Sequence, residues 1–286
     1  MSDLFVRGDL VTPETPSWLW EPWVPLGSLT IVEGPPGGGK STLVRHLAAA
    51  VTRGAAPYPA GSTREPSSVL WITSEESASV DLVPAMIASE TDLTKIYVSD
   101  AGAEAADTSI VARLAREVGA TLVVLDNLVA LVGVPEPETY QGVQRRLGPW
   151  VRLADEVGLA VVGIRHWRKS GGDAISAGIG SIAWSGIARS VVAIRDSHGE
   201  RTMAASKSSR AATHGSLRFA IDDQRRLQWL GESTADADDL TACDPSADDN
   251  VRHAWDAGHR TIRAIADESG VPRSTVQRTL RRLGLR

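Results

Sequence analysis

A glycine-rich loop between a strand pattern and a helix pattern is the strongest constraint on how this chain can fold. Residues 31–42 read IVEGPPGGGKST, and the loop matches the spacing G-x-x-x-x-G-K-[ST] from Gly34 to Ser41. The apolar run SLTIVE before the loop predicts a buried strand, and the apolar spacing in STLVRHLAAAV after it predicts a helix. In that setting backbone N–H groups form an anion-binding nest at a helix N-terminus. The loop therefore predicts a phosphate cradle.

The phosphate cradle predicts a nucleotide and a metal ion as ligands. We expect Lys40 to reach the β- and γ-phosphates of ATP and the Ser41 hydroxyl to bind Mg²⁺. The predicted nucleotide-binding residues are Gly34, Pro35, Pro36, Gly37, Gly38, Gly39, Lys40, Ser41 and Thr42. The alternative is a glycine turn with a structural role only.

Two other apolar runs end in acidic residues. The run TLVVLDN ends at Asp126, and the run SSVLWITSEE ends at Glu75 and Glu76. A buried parallel strand delivers such an acid to the carboxyl edge of its sheet. Nucleotide hydrolysis needs one carboxylate for Mg²⁺ and another that orients the attacking water, so Asp126 is the predicted metal residue and Glu75 the predicted catalytic acid. The alternative for each is a helix cap, and Glu76 is a second catalytic candidate.

The order of apolar segments predicts an α/β fold. Helical segments separate the early strands, and hairpin signals such as DSHGE separate the late ones. We expect a mainly parallel core followed by an antiparallel extension. The predicted strands lie near 28–33, 68–73, 122–125, 160–164, 190–195, 201–206, 216–221 and 226–230.

Composition limits the other possibilities. A chain of 286 residues with 42% hydrophobic content can bury one large core and leave a small appendage. No apolar run approaches the roughly eighteen residues of a membrane span, and the start MSDLFVRGDL lacks the order of a signal peptide. We therefore expect a cytoplasmic protein without a membrane partner. The one cysteine, Cys243, allows neither a disulfide framework nor a cysteine metal site.

Charge is distributed unevenly along the last quarter of the chain. Residues 231–250 contain seven acids and no Lys or Arg, whereas residues 251–286 contain eight arginines and three acids. An acidic stretch with few apolar residues cannot offset its ordering entropy, which favours a flexible linker. The predicted units are therefore an ATPase domain over 1–230, a linker over 231–250 and a basic domain over 251–286.

The basic domain carries the pattern of a helix-turn-helix. Apolar residues of TIRAIADES, a stop at Gly270 and apolar residues of STVQRTLRRL predict two helices, with VRHAWDA as a helix before them. The polar face of the last helix would meet DNA bases and phosphates. That face holds Arg273, Ser274, Thr275, Gln277, Arg278, Arg281 and Arg282. The alternative is an arginine-rich helical hairpin that caps the core or mediates assembly.

The order of motifs over roughly residues 16–230 resembles RecA-like P-loop ATPases. The likeness is to the branch of hexameric plasmid and phage replicative helicases of RepA type, and it begins with the segment WLWEPWVPLGSLTIVEGPPGGGKSTL. It implies that Glu75 in ITSEES is the catalytic glutamate. VVGIRHWRKS is similar to the family's strand that ends in His-His-x-x-Lys, with Arg165 in place of the first histidine. His166 would then sense the γ-phosphate, and the alternative is a core histidine with a structural role only.

The resemblance also implies a ring with DNA in its channel. SKSSRAATHGSLRFAI resembles the element that carries a basic finger into the neighbouring subunit's ATP site, which implicates Lys207 or Arg210. The alternative is that both are solvated charges at the end of a hairpin. A finger in trans implies a homo-oligomeric ring or filament. The glycine-rich loop RKSGGDAISAGIG would place Arg168 and Lys169 against single-stranded DNA, or it is only a connection.

These expectations together favour an ATP-driven DNA motor, similar to a replicative helicase, of a plasmid, phage or integrated element. The basic domain would hold duplex DNA. An ATP-gated DNA-binding regulator or initiation factor without unwinding activity has the same motifs and stays open. A small-molecule kinase is a third alternative, and the finger-like segment and the basic domain disfavour it.

Overall fold

The computed structural model describes residues 6–59, 61–133, 139–166, 183–197, 199–211, 215–235, 245–271 and 273–285. The strands are β1 (Trp18–Trp20), β2 (Val24–Pro25), β3 (Ser28–Gly34), β4 (Ser68–Thr73), β5 (Ile96–Ser99), β6 (Ala120–Asp126), β7 (Ala160–His166), β8 (Ser190–Ser197), β9 (Glu200–Ser208), β10 (Ser216–Ile221) and β11 (Leu227–Ser233). The α-helices are α1 (Lys40–Arg53), α2 (Val83–Ala88), α3 (Thr108–Val118), α4 (Leu128–Val132), α5 (Tyr140–Val157), α6 (Pro245–Asp256), α7 (Ile262–Ser269) and α8 (Arg273–Arg282), and residues 183–187 are also helical.

A nine-stranded sheet organises the first 233 residues, in the order β11-β10-β9-β8-β3-β7-β6-β4-β5. The six neighbouring strands β8, β3, β7, β6, β4 and β5 pair in parallel. Strands β9, β10 and β11 extend the sheet beyond β8 with antiparallel pairs. The predicted mixed sheet with its antiparallel extension is therefore confirmed. The apolar runs did not predict β5, which is short and only partly buried, or the pairing of β1 with β2.

Both faces of the sheet are covered, as expected for parallel strands. Alternate strand residues pack against α1 and α2 on one face, where Trp71 and Leu43 are buried. The intervening residues pack against α3, α4 and α5 on the other face, where Ile31 and Trp150 are buried. These strands thus need apolar residues at consecutive positions, which explains the unbroken runs in the sequence.

The topology gathers several strand ends at one edge of the sheet. The carboxyl ends of β3, β4, β6, β7 and β8 lie there because these strands run in parallel. Strand β9 returns antiparallel from β8, with Glu200 opposite Ser197, and Ala220 of β10 lies opposite Glu200. The turns β8–β9 and β10–β11 therefore come to the same edge as the loop after β3.

Helices α6, α7 and α8 pack around a small apolar core of their own. That core contains Val251, Ala254, Ile265, Val271, Val276 and Leu280. Helix α6 begins at Pro245 and not at the predicted position 251, because proline is pre-organised for the first helical position and the acidic residues after it suit a first turn. Strand β11 also runs to Ser233, so the predicted linker is shorter than 231–250, and 236–244 lie outside the described residues.

Within the described ranges no helix is long and apolar enough to cross a membrane.

Candidate active site

The loop between β3 and α1 has the backbone that its glycines allow. A Cβ atom on Gly34 would lie 2.3 Å from the carbonyl oxygen of Ile194, so the neighbouring strand β8 leaves no room for a side chain. Gly39 has φ +89°, in the left-handed region, and a Cβ there would lie 2.8 Å from Cδ of Arg201. The loop therefore turns tightly and delivers its backbone N–H groups to the start of α1.

Lys40, the first residue of α1, points back into this loop. Its Nζ donates to the Pro35 carbonyl oxygen at 2.7 Å, and the residue is only 3% exposed. Burial lowers the pKa of Lys40 to about 8, against the opposing effect of the carboxylates of Asp126 and Glu75. A lysine held within the loop is placed to neutralise phosphate charge.

Asp126 lies at the end of β6 and meets Ser41 across the edge of the sheet. Ser41 Oγ donates to Asp126 Oδ2 at 3.0 Å, and Asp126 is 2% exposed. Burial is the main reason that the pKa of Asp126 rises to about 6, the Ser41 hydrogen bond opposes the rise, and the nearby acids Glu76 and Glu75 add to it. In the described part of the chain, Oδ1 of Asp126 has no hydrogen-bond partner.

This arrangement fits a hard cation such as Mg²⁺. A carboxylate oxygen without a partner and a hydroxyl oxygen lie beside the phosphate loop, and oxygen ligands are what Mg²⁺ requires. Among the described residues no cluster of three or more His, Cys, Asp or Glu side chains could hold a metal. Mg²⁺ commonly uses one or two protein ligands and completes its shell with phosphates and water. Ser41 and Asp126 would therefore hold the ion together with a nucleotide.

Glu75 and Glu76 follow β4, but the structure gives them different partners. Oε1 of Glu75 accepts a hydrogen bond from Asn127 Nδ2 at 2.8 Å, and Oε2 lies 3.5 Å from His166 Nε2. Glu76 instead pairs with Arg45 of α1 at 3.1 Å. The side chain of Glu75 is 45% exposed and, among the described residues, has no arginine partner, so it is the acid that can orient a water molecule.

His166 and Arg165 at the end of β7 have opposite orientations, as neighbours on a strand do. His166 lines the cleft beside Lys40, and its Nδ1 is buried without a hydrogen-bond partner in the described chain. Arg165 is buried, pairs with Glu33 at 3.1 Å and lies over the ring of Trp184, 5.4 Å from its centroid. Only His166 is placed to contact a nucleotide, whereas Arg165 joins β3 to the helical residues 183–187.

A cleft of about 320 Å³ adjoins the phosphate loop. Its walls include predicted residues of the loop and of α1, together with residues from the β10–β11 turn. The lining residues are Gly37, Gly39, Lys40, Ser41, Thr42, Arg45, Glu76, His166, Ile221 and Arg225.

The predicted finger residues lie outside this cleft. Lys207 pairs with Val191 of β8, and its Nζ donates to the carbonyl oxygens of Ser185 at 2.5 Å and Gly186 at 3.3 Å. Nη1 of Arg210 donates to the carbonyl oxygen of Leu26 at 2.8 Å, at the opposite end of β3 from the phosphate loop. Neither side chain is placed at the phosphate loop of its own chain in this structure.

The predicted DNA-binding residues are only partly described. Arg168 and Lys169 lie outside the described residues. On α8, Arg273, Gln277 and Arg281 are exposed and Thr275 is partly exposed. The side chains of Ser274, Arg278 and Arg282 are outside the description.

Sequence reasoning missed three residues at this edge of the sheet. Asn127 could have been found, because it directly follows the acid at the end of β6. Arg201 and Arg225 carry no local signal, since the antiparallel extension alone brings their turns to the loop.

The model of the AAA domain family matches residues 1–172, which include the phosphate loop, Glu75, Asp126 and His166. This chain belongs to the AAA domain family. A search of curated proteins gave no match. The AAA domain indicates an ATPase domain that binds nucleotide, and the narrower resemblance to replicative helicases stays a prediction.

Proposed function

We propose that this AAA domain protein hydrolyses ATP as a ring-forming DNA motor. The observation that carries the ATPase part is the convergence of Lys40, Ser41 and Asp126, with Glu75 held beside them by Asn127. These side chains come from α1, β6 and the residues after β4, and the parallel sheet brings them to one edge. Positioning and charge neutralisation of this kind are most of what phosphoryl transfer needs from a protein.

The residues divide the work of hydrolysis. Lys40 would neutralise phosphate charge, and Glu75 would orient a water molecule and accept its hydrogen bond. The water oxygen bonds to the γ-phosphorus while the bond to the β,γ-bridging oxygen breaks, and ADP leaves with that oxygen. The proton that the water loses passes by way of Glu75 to the solvent. Ser41 and Asp126 would hold Mg²⁺, which neutralises phosphate charge when bound. His166, next to Glu75, would respond to the presence of the γ-phosphate.

The motor part of the proposal rests on the finger and on assembly. Lys207 and Arg210 lie away from the chain's own cleft, which is expected of residues that complete a neighbour's site. A site completed in trans couples hydrolysis between subunits of a ring. Arg168 and Lys169 would contact single-stranded DNA in the channel of that ring.

A regulator that uses ATP to control DNA binding is the second candidate, and the C-terminal helices favour it. Helix α8 buries Val276 and Leu280 and exposes Arg273, Gln277 and Arg281, so it has a polar face suited to a DNA groove. This face would bind duplex DNA in either function.

Strand displacement on a forked DNA substrate separates the two functions. The motor predicts ATP-dependent displacement that Glu75→Gln abolishes, measured with a labelled strand and excess protein. Free phosphate release without displacement, together with ATP-dependent duplex binding, would favour the regulator. Formation of a phosphorylated small molecule in place of free phosphate would contradict both.

A further inference from the structure

The β8–β9 and β10–β11 turns bring two arginines to the phosphate loop from the side opposite the predicted catalytic acid. In the sheet order, β8 lies on one side of β3, whereas β7, β6 and β4 lie on the other. His166, Asp126 and Glu75 belong to this second side. Arg201 is the second residue of β9, and Arg225 lies in the β10–β11 turn, so both approach from the β8 side.

Arg201 packs directly against the phosphate loop. Its Cδ and Nε lie 2.8 and 3.0 Å from where a Cβ on Gly39 would be, and Cδ1 of Ile221 lies 2.9 Å from the same point. Nη2 of Arg201 pairs with Asp196 Oδ2 at 2.8 Å, which fixes the hairpin. The Nε of Arg201 is buried and has no hydrogen-bond partner in the described chain. The antiparallel extension therefore packs against the phosphate loop.

Arg225 places a positive charge at the mouth of the cleft. The residue is exposed, lines the cleft with Gly37 and Thr42, and makes no ion pair within the described chain. Its φ is +62°, a conformation that glycine or asparagine adopts more readily than arginine. The turn itself is held by Asp222, whose side chain accepts from the backbone N–H groups of Gln224 and Arg226. Within the described ranges, the guanidinium of Arg225 therefore has no partner with a structural role.

We propose that Arg225 and Ile221 form the binding site for the nucleoside end of the nucleotide in the same chain. This inference rests on the proposed ATPase function, because the γ-phosphate must lie toward Glu75 for hydrolysis. The α-phosphate, ribose and base then extend toward the β8 side, where Thr42, Ile221 and Arg225 line the cleft. Arg225 would contact the ribose hydroxyl groups through its guanidinium, and the apolar side chain of Ile221 would pack against the base.

The position of Arg225 predicts an effect on affinity and not on the chemical step. An arginine at the γ-phosphate would stabilise the transition state and change kcat. An arginine at the nucleoside end contacts ATP, ADP and the transition state equally, so its loss raises Kd and KM and leaves kcat unchanged.

The test measures nucleotide binding by calorimetry with the full chain. Arg225→Gly removes the guanidinium and suits the positive φ, so the turn is retained. We expect Kd for ADP and for ATP to rise by about ten-fold, with kcat at saturating ATP within about two-fold of the unmodified protein. Arg225→Lys should recover part of the affinity. Inorganic tripolyphosphate, which has no nucleoside, should bind both proteins equally.

Two control variants accompany this measurement. Gln224→Ala alters the neighbouring exposed side chain of the same turn, and Arg116→Ala removes one positive charge from α3 on the other side of the sheet. Both should bind ADP normally. Unchanged ADP affinity in Arg225→Gly, or a fall in kcat with unchanged Kd, would overturn the inference alone. Failure of the unmodified protein to bind any nucleotide would overturn the proposed ATPase function with it.

Discussion

Asn127 donates its side-chain amide to Glu75 over 2.8 Å, and this hydrogen bond joins the ends of two neighbouring strands, β4 and β6. The side-chain oxygen of Asn127 caps a helix. Oδ1 of Asn127 accepts from the backbone N–H group of Val129 at 2.9 Å and so begins α4. Because its oxygen is fixed by the cap, the amide nitrogen is aimed at Glu75. Asn127 is thus a positioning residue for the predicted catalytic acid.

Asn127→Asp separates these two tasks. The variant keeps an oxygen for the cap of α4 but replaces the amide donor with a carboxylate group that faces Glu75, so we expect the cap to persist and kcat to fall by about 10–100-fold. Asn127→Ala should lose a similar part of kcat and also about 1 kcal/mol of stability, since the cap is gone. Phosphate release and thermal unfolding measured on both variants test this. Full turnover by Asn127→Asp would contradict the positioning role.

Lys40→Ala and Glu75→Gln should fail in different ways. Lys40 lies inside the phosphate loop, so its loss weakens nucleotide binding and abolishes turnover. Glu75→Gln should bind ATP normally and hydrolyse it at least about 100-fold more slowly, because the carboxylate acts on water and not on the phosphates. Nucleotide titration and phosphate release distinguish the two. Glu76→Gln is the matched control: Glu76 pairs with Arg45, so most turnover should remain, and normal turnover by Glu75→Gln would move the role elsewhere.

Asp126 should destabilise the ligand-free protein at neutral pH. Its pKa is raised from 3.8 to about 6, so the folded protein binds this proton more tightly than the unfolded chain does, and stability falls as pH rises from about 4 to about 6. Asp126→Asn removes the buried charge. We expect its free energy of unfolding to exceed that of the unmodified protein by about 1–3 kcal/mol at about pH 7.5, with turnover lost. Urea unfolding at about pH 4 should show no such gain, and an equal gain at both pH values would contradict the cause.

Much of the fold could be predicted because local pattern and tertiary context agree in the parallel core. The runs that end at Asp126 and Glu75 are apolar throughout, as strands covered on both faces must be, and the glycine loop fixes which strand precedes α1. Strand β5 has no such apolar run, because the strand is only partly buried and can therefore hold polar residues.

The candidate site was predictable only where a residue's role is local. Lys40 and Ser41 belong to one motif, and Glu75 ends one strand. The contact of Arg201 with Gly39 joins residues 162 positions apart and depends on the register of β9, β8 and β3, which no short pattern contains. The choice between Glu75 and Glu76 likewise depends on Arg45 of α1, which takes Glu76 as its partner.

Lys207→Ala tests whether a neighbouring subunit completes the site. The variant should bind ATP normally and hydrolyse it slowly, because a finger acts on the transition state and can contribute about 10³–10⁵ in rate. Mixing it with Lys40→Ala should restore some hydrolysis, since the mixture places an intact Lys207 beside an intact phosphate loop. The same measurements on Arg210→Ala, alone and mixed with Lys40→Ala, decide whether Lys207 or Arg210 is the finger. Absence of recovery in any mixture, despite confirmed co-assembly, would count against action in trans.

Removal of the C-terminal helices should separate DNA binding from ATP chemistry. Strand β11 extends to Ser233, and the Ala235 N–H group donates to Ser233 Oγ, so a truncation after Ala235 leaves the sheet complete. Nucleotide binding and assembly should therefore persist, whereas most duplex affinity and much of its steep salt dependence should disappear with the arginine-rich helices.

Within the full chain, Arg281→Ala on the exposed face of α8 should weaken duplex binding, by about 1–3 kcal/mol if it contacts a base. Duplex titrations at two salt concentrations measure both effects, with Arg116→Ala as the control for lost charge. Equal binding by the full and truncated chains would make α6 to α8 an assembly element, and it would weaken the regulator more than the motor, whose DNA contacts lie chiefly in the ring.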